Sequence, residues 1–119
     1  MVRALRGATT VEENDAERII AETGALLQKI VDENNLDIED IISVIFSVTE
    51  DLNAAFPAVA ARQLGWTSAA LMCTREIDVP GSLKKCIRVL MHINSDKKNS
   101  ELRHIFLKEA RALRPDLAQ

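Results

Sequence analysis

The sequence predicts an α+β fold, a mixed β-sheet packed against one long helix and a short helix. Three observations predict it. Residues 15–34 repeat their apolar side chains at helical spacing. Residues 2–11, 41–49 and 86–93 instead alternate, as strands do. No second stretch carries a long helical stripe. The 119 residues, 47% of them hydrophobic, fit a single domain over 1–119, with 111–119 expected as a mobile C-terminal tail.

The elements follow in order. Residues 2–11 form a strand ending in Thr9-Thr10-Val11, with Val2, Ala4, Arg6 and Ala8 on one face. Taken alone, Arg6 reads as an edge-strand arginine in solvent. Asn14-Asp15-Ala16-Glu17 reads as a capping box with Asn14 as the N-cap. The helix then runs to about Asn34, burying Ile19, Thr23, Leu26, Leu27, Ile30 and Val31 and exposing Glu22, Gln28, Asp32 and Glu33. Asn34-Asn35 ends it, and residues 37–40 make one short turn.

Residues 41–49 give the clearest strand. Ile42, Val44, Phe46 and Val48 are its apolar face, against Ile41, Ser43, Ile45 and Ser47. Both faces are largely apolar, which asks for cover on both sides. One long helix covers one side, so the second face is expected to pack on another subunit. Pro57 opens a short helix over 58–64, closed by Gly65. Residues 68–72 are extended and lead into residues 73–90, read as strand, turn, strand about Pro80-Gly81. Here Ile87, Val89, Met91 and Ile93 face the helix, opposite Cys86, Arg88, Leu90 and His92. Glu76 lies where the first of these strands ends. Residues 96–100 are a polar loop. Residues 101–113 leave their class open; Leu102, Ile105, Phe106 and Lys108-Glu109 are compatible with a helix capped by Ser100.

Composition narrows the function. At 3% aromatic residues and no tyrosine, there is little to stack bases on, so nucleic-acid binding is not expected. The net charge of −3 gives no general attraction to anionic partners, but it is unevenly placed. Residues 12–51 hold twelve of the eighteen acids, and residues 84–114 nine of the fifteen Lys and Arg. A basic C-terminal third fits either an anionic ligand or a solvated face. No apolar run reaches membrane-spanning length, and no signal peptide precedes the first strand, so a cytoplasmic protein with reduced thiols is expected. A disulfide between Cys73 and Cys86 across the turn is the alternative. His92 and His104 lack partners at metal-ligand spacing, Cys73 lacks a neighbouring base, and there is no glycine-rich phosphate loop. What remains is Arg6, Arg62, Arg88 and Arg114 with Glu76. Arginine grips carboxylates in a two-pronged geometry, so the set suggests a site for a small polyanion between subunits. An Arg88–Glu76 surface ion pair is the simpler reading of those two residues.

Five segments carry a resemblance. Arg6-Gly7-Ala8-Thr9-Thr10-Val11, Asp51-Leu52-Asn53-Ala54-Ala55-Phe56-Pro57-Ala58, Glu76-Ile77-Asp78-Val79, Leu83-Lys84-Lys85-Cys86-Ile87-Arg88-Val89 and Leu113-Arg114-Pro115-Asp116-Leu117 stand in order along the chain. Together they resemble the monofunctional, Bacillus-type chorismate mutases. The resemblance implies a homotrimer forming a pseudo-α/β-barrel, with active sites at subunit interfaces. It implies rearrangement of chorismate to prephenate, in the synthesis of phenylalanine and tyrosine, without cofactor, metal or covalent intermediate. Arg88 is then expected against the ether oxygen, Glu76 on the ring hydroxyl, and Arg6 on the enolpyruvyl carboxylate. Cys73 and Met72 would contribute backbone contacts. Phe56, Ala58 and Leu71 would wall the pocket, and Arg62, Leu113 and Arg114 would close its mouth. Phe106 stands where the family usually has a tyrosine, Val59 where a lysine is common, and Met72 where a threonine is frequent. One residue is missing before Gly65-Trp66. The alternative is a non-enzymatic trimeric module that binds a small anion and regulates.

Overall fold

Strand β1 (Val2–Thr10) is followed by helix α1 (Ala16–Asn34), strand β2 (Ile41–Val48), helix α2 (Ala58–Gln63) and strands β3 (Ala70–Arg75), β4 (Cys86–Asn94) and β5 (Ile105–Phe106). Short 3-10 turns at Ile38–Asp40, Asn99–Glu101 and Lys108–Ala112 complete the chain, which the computed structural model describes over residues 1–114. The strands form one mixed sheet in the order β3-β2-β4-β1-β5. β4 is antiparallel to both β1 and β2, while β3 is parallel to β2 and β5 parallel to β1. No helix among the described residues is long and apolar enough to cross a membrane.

α1 lies along one face of the sheet. Its buried residues Ile19, Thr23, Leu26, Leu27 and Ile30 are those of the apolar stripe. Leu26, Leu27 and Ile30 share a core with Leu5, Val44, Phe46, Val89, Met91 and Ile93. Strand alternation sends the other residues to the opposite face: Arg6 and Ala8 from β1, Arg88 and Leu90 from β4, Ile45 and Ser47 from β2, Met72 from β3. That face stays half-exposed, and Met72 is fully on the surface.

Three expectations are corrected and one open stretch is resolved. The N-cap of α1 is Asp15, whose carboxylate accepts the Arg18 N–H at 3.1 Å. Asn14 is occupied elsewhere, its Oδ1 accepting the Asn53 and Ala54 N–H groups at 3.0 Å. In β2, a register irregularity between Ile41 and Ser43 turns Ile41 into the core and Ile42 out to solvent. Residues 73–90 are not a hairpin. β2 lies between β3 and β4, because β2, largely apolar on both faces, takes an interior position with a neighbour on each edge. Cys73 and Cys86 therefore point to opposite faces and both are free, so no disulfide spans them. Finally, residues 101–113 hold no α-helix. Ile105 and Phe106 alternate as a strand does, Ile105 into the α1 side and Phe106 into a small cluster with Ala8, Cys86 and Ala110. Of the expected tail, 111 and 112 belong to the last 3-10 helix and 115–119 lie outside the described residues.

Gly7 is where the layers come closest. A Cβ there would stand 2.8 Å from Ile30 Cδ1, 3.1 Å from Val89 Cγ2 and 3.2 Å from the Ile105 carbonyl. Two of these neighbours are rigid, so Gly7→Ala is expected to cost about 1–3 kcal/mol in chemical denaturation. Adding Ile30→Val, which removes the nearest atom, should recover part of it. A Gly7→Ala chain as stable as the parent would contradict this packing.

Candidate active site

Arg88 projects from near the start of β4, between Ala8 of β1 and Ser47 of β2. Both neighbours are small, which leaves room above them for a long side chain. Arg6, one pair along on β1, opposes Leu90 on the same face. Glu76 follows the end of β3, its N–H held by the Val48 carbonyl at 2.8 Å. Arg6, Glu76, Arg88 and Phe106 line one cavity of about 310 Å³, floored by Ala8, Ile45, Ser47 and Leu90. That volume is at the lower end for small-molecule sites.

The charges are arranged for an anion. Two guanidinium groups face one carboxylate, so the cavity carries an excess of positive charge. Arg88 Nε approaches Glu76 Oε1 at 3.5 Å, with both side chains partly withdrawn from water. Nε is buried and has no hydrogen-bond partner among the described residues. Arg6 lays its guanidinium over the Phe106 ring, 5.9 Å from the centroid, a cation–π contact that fixes its direction. Next to Arg88, burial pushes the Cys86 thiol up from its ordinary value, although the Arg88 charge opposes this. A thiol held protonated is a poor nucleophile. The lining thus offers oriented cations and a carboxylate, without a nucleophile paired to a base. Among the described residues, no cluster of three or more His, Cys, Asp or Glu side chains is placed to hold a metal.

The other expected site residues are elsewhere in the fold. Phe56 and Cys73 line a second cavity of about 510 Å³, with Leu52, Ala55, Pro57 and Thr74. Ala58 and Leu71 pack on the α1-side core. Arg62 is exposed on α2, and Met72 is exposed on the open sheet face. Leu113 packs behind Phe106, against the cluster of Ala8, Cys86 and Ala110. Arg114 is half-buried, close enough for its charge to act on His104.

This arrangement has counterparts in known proteins. The family model described as chorismate mutase type I matches residues 2–117. The chain belongs to the chorismate mutase type I family. It is 46% identical over 119 residues to the chorismate mutase AroH of Bacillus subtilis, covering 99% of this chain and 94% of that one. It is 50% identical over 118 residues to the chorismate mutase AroH of Thermus thermophilus, covering 98% and 97%. A solved chorismate mutase from Clostridium thermocellum superposes with a TM-score of 0.91 at 58% identity, over 92% of this chain and 98% of that one.

His104, without a partner at metal-ligand spacing, has a structural role in this type I fold. His104 Nδ1 accepts the Arg6 backbone N–H at 2.9 Å, which anchors β1 beside the arginine. Accepting at Nδ1 requires the neutral ring with its proton on Nε2. Burial lowers the His104 pKa below its ordinary 6.5, and the Arg6 and Arg114 charges add to this. A lowered folded pKa contributes stability that is complete above 6.5 and is lost as pH falls through the folded value. Thermal midpoints should therefore drop on acidification below that point. His104→Asn, which keeps an acceptor but does not titrate, should show a shallower decline; an identical acid slope would remove His104 from the account.

Proposed function

We propose that this protein is a chorismate mutase, converting chorismate to prephenate by intramolecular rearrangement. The observation that carries the reading is Arg88 held beside Glu76 in a cavity shared with Arg6. The names of its relatives, similar over nearly their whole length, agree with it. The reaction moves bonds within one molecule, so it needs no external acid, base or nucleophile. It needs the substrate held compact, with its side chain folded over the ring. It also needs preorganised positive charge where the breaking C–O bond leaves negative charge on the ether oxygen.

Each residue then has a role. Arg88 directs its guanidinium at the ether oxygen and one carboxylate, and Glu76 accepts a hydrogen bond from the ring hydroxyl. Arg6 binds the enolpyruvyl carboxylate, held in direction by the Phe106 ring. Phe56, Ala58, Arg62, Leu71, Met72 and Cys73 act on the substrate of a neighbouring subunit, and Leu113 and Arg114 close the mouth. Two features support this division. Phe56 and Cys73 line a cavity separate from that of Arg88, and Met72 stands exposed on a sheet face that α1 does not cover. The assembly is a homotrimer with sites between subunits, working in the cytoplasm on the route to aromatic amino acids. The rival reading, a regulatory anion-binding module, is not favoured, since a sensor of anions gains nothing from Glu76 in its site.

The test is direct. Purified protein is mixed with chorismate and loss of its ultraviolet absorbance is followed, with prephenate identified by acid conversion to phenylpyruvate. Arg88→Ala should lower turnover by a factor of at least ~10², the loss of about 3–4 kcal/mol typical of one key donor. Arg88→Lys should recover little, because the planar fork is lost with the charge kept. Near-parental turnover by Arg88→Ala would refute the assignment of that residue. Phe106→Tyr, which adds a hydroxyl beside Arg6, should lower KM with kcat little changed; a fall in kcat instead would show that the ring, not the hydroxyl, matters there.

A further inference from the structure

Arg88 and Glu76 are oppositely charged, yet Nε and Oε1 stand 3.5 Å apart without a hydrogen bond. Free to move, such a pair closes to about 2.7–2.9 Å. Something else sets the separation, and the backbone contacts identify it. Both residues are tied to the last residue of β2 and the few that follow it. The Val48 carbonyl accepts the Glu76 N–H at 2.8 Å. Thr49 exchanges two hydrogen bonds with Cys86, two residues before Arg88. Its N–H donates to the Cys86 carbonyl at 3.1 Å, and its Oγ1 accepts the Cys86 N–H at 3.0 Å. The same hydroxyl donates to Asp51 Oδ1 at 2.5 Å. Asp51 in turn accepts the Lys85 N–H through both carboxylate oxygens, at 3.1 and 3.0 Å. Lys85 adopts a left-handed backbone, φ 50°, which an L-residue adopts at a cost that these bonds offset.

We propose that Thr49 and Asp51 are positioning residues, a clamp that fixes the start of β4 against the end of β2 and so holds Arg88 away from Glu76. The guanidinium then keeps its donors for the substrate instead of spending them on the carboxylate. The role in turnover rests on the chorismate mutase reading above; the clamp on geometry does not.

The test uses Thr49→Val, which removes the hydroxyl, Thr49→Ser, which keeps it, and Asp51→Asn, which loses one acceptor oxygen. Two readouts are taken on each folded protein: kcat and KM with chorismate, and the Arg88 Nε–H signal in nitrogen-15 NMR. Small misplacements of a catalytic group can cost about 10²-fold. Thr49→Val and Asp51→Asn should lower kcat by about 10–100-fold with KM little changed, and Thr49→Ser should restore it. The Arg88 Nε–H signal should move in the two impaired variants, as the pair closes, and return in Thr49→Ser. A role in stability alone would leave that signal in place and would not separate kcat from KM. An unmoved signal, or unchanged kcat in an active parent, overturns the clamp. A parent that does not turn over chorismate overturns the functional reading, and the NMR signal alone then decides the clamp.

Discussion

The two-sided pairing of β4 is the constraint on which the rest of the structure depends. β4 is hydrogen-bonded along its length to β1 on one edge and β2 on the other, antiparallel to both. A strand fixed on both edges cannot slip by one residue without turning its buried set out to solvent. Ile87, Val89, Met91 and Ile93 are buried against α1, and that fixes the face from which Arg88 emerges. The direction of the arginine is thus a by-product of core burial. Its surroundings are too, since register brings Ala8 and Ser47 alongside it and leaves space for its side chain.

The second constraint is one of area. A single long helix covers one face of a five-stranded sheet, and the uncovered face keeps apolar groups such as Met72 in contact with water. The cations are built on that same face. Arg6 gains direction from an aromatic ring and a histidine behind its backbone, whereas Arg88 gains it from the ladder itself. Neither guanidinium is hydrogen-bonded to a carboxylate among the described residues. Such donors are oriented before any ligand arrives, the condition under which fixed dipoles and charges act most strongly on a developing charge.

Much of this was legible in the sequence, because its main elements obey simple periods. The stripe of α1 and the alternation of β1, β2 and β4 gave their extents within a residue or two. Parity alone set Arg88 on the face away from the helix, whereas Arg6 read as an edge-strand arginine and instead lies on a strand paired on both sides. Features set by distant contacts were not legible. Asn14 has the chemistry of a cap, but a loop forty residues on claims it and leaves Asp15 to do the capping. The irregularity at Ile42 breaks an alternation that local sequence cannot reveal as broken. The insertion of β2 between β3 and β4 depends on which strands compete for an edge, and Pro80-Gly81 marks a turn without saying what it joins. β5, two residues long, is too short for its alternation to show as a period. His104 offered no signal beyond its ring, while Thr49 read as the last residue of a strand and Asp51 as an ordinary loop residue. Assignment of roles to Phe56, Arg62 or Leu71 came from resemblance, since their spacing carries no chemistry.

The pairing of the chain's two ends has a consequence for how the molecule comes into being. Val2 is matched to Asn94, and Gly7 to Ile105. During synthesis β1 and α1 leave the ribosome long before the strand that will join them to β2. Until residues 86–94 have been made, the sheet lacks its central member and the apolar stripe of α1 lacks most of its floor. Folding so dominated by distant contacts is slow, and it exposes adhesive surface while it waits. A nascent chain of this topology completes its sheet only once residues 86–106 have emerged.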